Sequence, residues 1–297
     1  MGLLRVEGLS KRFGGLRAIE NLSFEVSPGS VQAIIGPNGA GKTTLLNLLS
    51  GLYVPDTGRV AVDGHDLAGR PAHRFAAAGL ARTFQNLQVF FNMTALENVM
   101  TGRHLRESQA LLPALLRLEP MVWAEHRSRA RALELMQQVG LGAWTGARAD
   151  AMPYGALKRL EIARALALEP KLLLLDEPAA GLNPTEAREI DALIRTLAAG
   201  GMTVLLVEHN MALVMEVSDR VLVLDHGTKL AEGTPAEVAR DERVIEAYLG
   251  VEGLVTESAT EGAAQGTGGT LDMRGALDMH GTLGNTAPAA RQAGGHA

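Results

Sequence analysis

Four short, nearly continuous apolar runs punctuate the chain: Val31–Ile35, Leu172–Leu175, Thr203–Val207 and Arg220–Leu224. Runs this short do not make helices, and they are too apolar for strands with one wet face. They read as strands of a parallel sheet buried on both faces. With a helix from Thr43 to about Ser50, the first run and residues 160–225 predict a parallel α/β core. Residues 3–30 and 59–68 instead alternate apolar and polar positions between the turns Ser27-Pro28-Gly29 and Val62-Asp63-Gly64, which predicts an antiparallel β subdomain. Over residues 87–155 the period becomes helical, most clearly at Leu111–Leu118 and Arg127–Val139, predicting a helix-rich insertion. From Val251 the chain turns to Gly, Ala and Thr, with a near-repeat over Gly269–His280. Such a segment cannot bury enough surface to offset its ordering entropy, so 251–297 is expected to be a disordered tail.

Chemistry gathers at the ends of those buried runs. Val31–Ile35 leads into Gly36-Pro37-Asn38-Gly39-Ala40-Gly41-Lys42-Thr43-Thr44. This is G-x-x-x-x-G-K-[ST] with a strand before it and a helix after it. Glycines let backbone N–H groups approach phosphate oxygens with no Cβ between them. The helix adds its positive N-terminal end, Lys42 a compact charge for the β/γ-phosphates, and the Thr43 hydroxyl a ligand for Mg²⁺. Leu172–Leu175 ends in Asp176 and Glu177, at the end of the sheet where open α/β folds keep their ligand chemistry. The plain alternative, two acids capping the next helix, loses ground once both motifs occur in one chain.

Together these segments resemble the ABC-type ATPases, over essentially residues 1–250. The resemblance implies a P-loop NTPase core with antiparallel β and helical subdomains, ATP as ligand, and Mg²⁺ held through Thr43, Gln85 and Asp176. Gln85, in Arg82-Thr83-Phe84-Gln85-Asn86, matches the family's Q-loop, which senses metal and attacking water. His209, after Thr203–Val207, matches the switch histidine at the γ-phosphate. Ala179–Asn183 matches the D-loop, and Phe13 sits where the family stacks an aromatic on adenine. Glu177 is the implied general base. With Lys42, Gln85 and His209 it forms the implied catalytic set.

The ending points to a narrower likeness. Residues 226–250, with Thr234-Pro235-Ala236-Glu237-Val238 and Arg243–Gly250, resemble the C-terminal element of the ATPases serving branched-chain amino acid importers. The insertion after Gln85, Tyr154-Gly155 and Glu177–Pro184 point the same way. The implied partners are two permease subunits, a second ATPase chain and, indirectly, a solute-binding protein, at the cytoplasmic face of the inner membrane. Urea or amide importers and lipid-export systems use similar cassettes. A non-transport ABC ATPase usually carries paired cassettes or long coiled coils, and neither is present. Leu87–Phe91 follows the Q-loop, where the family receives a short permease helix. At least one of Val89, Phe90 and Phe91 is therefore expected to be exposed.

Composition narrows the field further. The chain has 297 residues, a net charge of −5 and no cysteine. A global basic field for nucleic acid is absent, as are a disulfide framework and a Cys-based metal site. The first dozen residues mix acid and base without the apolar core of a signal peptide, and no apolar run is long enough to span a membrane. His65, His73, His104, His126, His226, His280 and His296 show no metal-ligand spacing. The Arg- and Leu-rich stretch Leu105–Arg131 reads as a solvated helical face, and Trp123 and Trp144 as packing residues.

One departure stands out. Where the family has Leu-Ser-Gly-Gly-Gln, this chain has Met152-Pro153-Tyr154-Gly155-Ala156. In the family this signature covers the ATP of the opposite subunit, and the serine gives it a hydroxyl and an N–H. Pro153 can give neither. Gly155 and a helix expected to start near Leu157 would still offer amides.

Overall fold

The computed structural model describes residues 2–106 and 119–248, all within the unit Met1–Leu254. The stretch Leu111–Leu118 and the tail from Val251 lie outside the described residues. Ten strands make two sheets among the described residues. Strands β1 (Leu4–Phe13), β2 (Leu16–Val26), β4 (Thr57–Val62) and β5 (His65–Asp66) form an antiparallel sheet in the order β2-β1-β4-β5. Strands β3 (Val31–Ile35), β6 (Leu80–Arg82), β7 (Leu172–Asp176), β8 (Thr203–Val207), β9 (Arg220–Asp225) and β10 (Thr228–Gly233) form the second, in the order β10-β9-β3-β8-β7-β6. Its neighbours pair in parallel except β10, which runs antiparallel to β9.

The all-apolar strands are explained by what covers them. Leu173 and Leu175 of β7 join one core cluster, while Leu172 and Leu174 join another. Val204 and Leu206 of β8 likewise face away from Leu205 and Val207. Period-two alternation persists, but both faces are dry, so no polar position interrupts the run. The antiparallel sheet and helix α1 (Lys42–Leu49) cover one side, with Leu4, Val6, Phe24, Leu45 and Leu49 all buried. The opposite side packs against α3 (Ala95–Thr101), α4 (Glu119–Gln138), α5 (Tyr154–Leu166) and α6 (Pro184–Ala199). The remaining helices are α2 (Ala72–Ala77), α7 (Met211–Val217) and α8 (Pro235–Val238), followed by a helical stretch over 242–248.

Helix starts follow local chemistry. Helix α6 opens on Asn183, which accepts N–H bonds from Thr185 and Glu186, with Pro184 in its first turn. Capping boxes of the same kind open α3 at Thr94 and α8 at Thr234. Two expectations are corrected. Helix α5 begins at Tyr154, three residues before the expected Leu157, because Pro153 holds the N-cap and its carbonyl accepts the Leu157 N–H at 3.0 Å. Trp123 is not a packing residue; it is 68% exposed. The buried side of α4 runs through Ser128, Ala132, Leu135 and Met136, and Trp123 lies five positions before Ser128, turned about 140° from that stripe. Trp144 does pack against the core.

Candidate nucleotide site

Four segments singled out in the sequence leave the carboxyl ends of four adjacent strands: Gly36–Thr44 after β3, His209 after β8, Glu177 after β7 and Gln85 after β6. The sheet gathers them on one edge, as open α/β sheets do with ligand-handling loops.

The loop after β3 is shaped to present backbone donors. Gly36 is wedged behind it, since a Cβ there would fall 2.2 Å from the Leu224 carbonyl oxygen. Gly39 has φ +83 and no heavy atom within 4 Å of where a Cβ would stand, so its backbone conformation asks for glycine. Gly41 is the N-cap of α1, with no side chain bonding the helix end and no acid in the first turn. The N-terminal amides of α1 thus point outward without a protein side chain to satisfy them, as an anion site requires. Lys42 Nζ lies over the same loop and donates to the carbonyls of Gly36 at 2.6 Å and Pro37 at 3.1 Å. Burial holds its pKa below the ordinary lysine value, against the opposing pull of Glu177 and Asp176. Ala40 is buried, while Asn38 and Thr43 are exposed at the loop surface and Thr44 is half-buried.

Gln85, Glu177 and His209 come together. Gln85 Nε2 donates to Glu177 Oε2 at 3.0 Å, and His209 Nδ1 stands 3.9 Å from the same oxygen. Glu177 has φ +47, a left-handed backbone for a non-glycine residue, which stores about 1–3 kcal/mol of strain. Its N–H donates to the Val207 carbonyl at 2.9 Å, fixing it to the end of β8. Asp176, one residue earlier, is buried and paired with Arg82 at 3.0 Å, each side chain 5% exposed. Burial raises the Asp176 pKa and Arg82 opposes the rise. Arg82 also donates to Asn47 Oδ1 and Ser50 Oγ, both at 2.8 Å, tying β6 to α1.

Three charged groups that sequence reasoning passed over hold this frame. Lys158 and Glu161, both buried on α5, grip the Q-loop backbone. Lys158 Nζ donates to the Gln85 carbonyl at 3.2 Å, and Glu161 Oε1 accepts the Phe84 N–H at 3.2 Å. Glu208 follows β8 directly and is 1% exposed. Its position at the end of an apolar strand, next to His209, repeats the pattern that drew attention to Asp176 and Glu177. Burial pushes its carboxyl pKa up, against N–H bonds from Ala179, His209 and Asn210.

Pro153, Tyr154 and Gly155 meet other neighbours. The Tyr154 ring lies against Gly181, where a Cβ would come within 3.2 Å of it. A Cβ on Gly155 would fall 2.6 Å from Glu186 Oε1. A larger residue there would displace the Glu186 carboxylate, which also accepts the Asn183 N–H. Phe13 is exposed at the β1–β2 turn with its ring edge-on to Tyr53, centroids 5.3 Å apart. Beyond the Q-loop, Val89 is buried but Phe90 and Phe91 are 46% and 48% exposed, so the expectation of an exposed ring is met twice over. A groove of about 460 Å³ beside Phe90 is lined by Leu52, Phe75, Phe84, Leu105 and Arg164. Among the described residues no helix is long and apolar enough to cross a membrane. Nor does any group of three or more His, Cys, Asp or Glu there form a metal cage.

The ABC transporter family model matches residues 19–180, and a model described as branched-chain amino acid ATP-binding cassette transporter matches residues 228–253. The high-affinity branched-chain amino acid transport ATP-binding protein BraF of Pseudomonas aeruginosa is 42% identical over 249 residues, covering 84% of this chain and 98% of that protein. The corresponding protein LivG of Escherichia coli is 43% identical over the same length and the same shares of both chains. A solved ATP-binding cassette of an ABC transporter in its ADP conformation superposes with a TM-score of 0.74 at 33% identity, covering 84% of this chain and 99% of that one. The glycine-rich loop after β3, the carboxylate pair at the end of β7 and these likenesses agree: the chain belongs to the ABC transporter family, as one of its nucleotide-binding, ATP-hydrolysing cassettes.

Proposed function

We propose that this chain is the ATPase subunit that energises an importer of branched-chain amino acids. The observation that carries the site assignment is the meeting of Gln85, Glu177 and His209 on the sheet edge that also bears the Lys42 loop. The matched C-terminal model over 228–253 and the functions named for the relatives support the substrate class. In this reading ATP lies along Gly36–Thr44, its adenine against Phe13 and its β/γ-phosphates against Lys42 and the α1 amides. Glu177 takes the proton from the attacking water, an effect usually worth about 10²–10⁴-fold, and His209 orients water and phosphate. Gln85 donates its amide N–H to Glu177, which leaves its carbonyl oxygen for a metal. Thr43, Gln85 and Asp176 supply hard oxygen donors that suit Mg²⁺, an ion that takes few protein ligands and completes its shell with phosphate and water. Bound there, it would neutralise charge on the transferring phosphoryl group.

The proposed assembly is two permease subunits and a second ATPase chain, peripheral at the cytoplasmic face of the inner membrane, with a solute-binding protein acting through the permeases. Pro153, Tyr154 and Gly155 then face the partner ATPase's nucleotide. Glu177→Gln tests the core of the reading. Turnover should vanish while ATP affinity stays near wild type; retention of more than about a tenth of the activity would reject Glu177 as the base.

A further inference from the structure

Glu208 takes no part in the chemistry above, yet it is among the most buried charged side chains described. One carboxylate oxygen reaches across to the D-loop, and the other turns back onto the segment Glu208 itself belongs to. Oε1 accepts the N–H of Ala179, in the D-loop two residues after Glu177, at 3.2 Å. Oε2 accepts the N–H of His209 at 3.2 Å, and the Asn210 N–H is directed to the same carboxylate. Around it lies a cavity of about 510 Å³ lined by Ala179–Leu182 on one side and His209 and Asn210 on the other. From the His209 segment, Glu208 thus reaches across the gap and ties the D-loop to it. A buried carboxylate is stable only while such donors remain aimed at it. Withdrawal of the D-loop would leave the Ala179 N–H and one oxygen of the buried carboxylate unsatisfied together.

We propose that Glu208 is a positioning residue that locks the D-loop to the His209 segment, so that both loops around the Glu177 carboxylate move as one body. This rests on the assignment of Glu177 and His209 given above. The lock also bears on Glu177 itself, whose left-handed backbone needs its surroundings to hold it. Val207 grips it from one side through its carbonyl, and Glu208, through Ala179, grips the residues that follow.

Glu208→Gln weakens the crossing bond with almost no change of shape. In Gln, an oxygen toward Ala179 keeps a crossing bond without its charge and sets the amide nitrogen against the His209 and Asn210 N–H groups. A nitrogen toward Ala179 loses the crossing bond; either way the link to the D-loop is weakened. In the full-length chain this variant should lower kcat by about thirtyfold, the order of one charge-assisted bond. The KM for ATP should stay within about twofold, because no phosphate contact is altered. Amide hydrogen exchange of the wild type supplies the second arm, independent of whether the variant folds. The Ala179, His209 and Asn210 amides should exchange with one shared opening free energy, and ATP should slow all three together. In Glu208→Gln the loops should exchange separately. Wild-type kcat in the variant, a rise in KM with kcat unchanged, or independent opening of the two loops in the wild type would each overturn the proposal. Failure of the underlying site assignment shows elsewhere, as turnover retained by Glu177→Gln.

Discussion

Replacing Arg82 with methionine removes a charge from the interior while keeping most of the side chain's length. Three partners lose a donor: Asn47 Oδ1, Ser50 Oγ and Asp176 Oδ2. Ser50 still donates to the Leu46 carbonyl at 2.7 Å, so the main penalty falls on Asp176, which stays 5% exposed without its hydrogen-bonded counter-ion. Removing one partner of a buried pair typically destabilises by about 3–5 kcal/mol. For a domain of this size each kcal/mol shifts Tm by roughly 2–4 °C, giving a drop of about 6–20 °C. Arg195→Met is the control: its bridge to Glu216 joins side chains 45% and 57% exposed, and such a pair contributes below about 1 kcal/mol. The assay is urea unfolding followed by circular dichroism, with calorimetry for Tm. Arg82→Met combined with Asp176→Asn should recover a large part of the loss, since no uncompensated charge then remains. An Arg82→Met variant within about 1 kcal/mol of wild type, or a double variant no better than the single, would refute the claim that this pair holds β6 against β7 and α1.

Further outcomes are expected elsewhere. Ser in place of Phe90 or Phe91 should uncouple solute uptake in membrane vesicles while basal ATPase and Tm hold; loss of folding would show instead that these exposed rings are structural. In a heterodimer, the site built on Lys42, Glu177 and His209 should turn over faster than the partner site closed by Pro153. Loss of this chain's Glu177 should then cost more activity than loss of the partner's equivalent, and Pro153→Ser should narrow the gap; equal losses with Pro153→Ser silent would refute it. Glu161 has its pKa raised by burial. Its stabilising contribution is therefore full below the unfolded carboxylate pKa and falls away as pH climbs through the raised folded value. The stability difference between wild type and Glu161→Gln, from urea titrations between about pH 4 and 7, should shift against the wild type as pH rises; a flat difference would mean that burial does not perturb this carboxyl.

The strands that build the sheet were legible because burial on both faces leaves an uninterrupted apolar run, and Val31–Ile35, Leu172–Leu175 and Thr203–Val207 match β3, β7 and β8. Strand β6 was not, since Leu80–Arg82 is three residues long and ends in the arginine that pairs with Asp176. Gln85 and His209 were found by resemblance to an ordered motif set, not by any local period. Lys158 and Glu161 were missed because a charged residue on a helix reads as solvent-facing until the helix is docked. What buries them is the Q-loop backbone, which supplies carbonyl and N–H partners that leave no trace in side-chain pattern. Trp123 erred the other way: size suggests burial, while helical phase decides it.

The left-handed backbone of Glu177 places stability and chemistry in opposition at one residue. Glycine adopts that conformation without steric penalty, so Glu177→Gly should relieve about 1 kcal/mol of strain while deleting the carboxylate. Variants lost to catalysis at this position can therefore express better and melt later than the parent. Any enrichment of this chain by solubility or heat resistance alone will favour inactive molecules here. Libraries sorted in that way need a turnover step in every round to keep Glu177 in place.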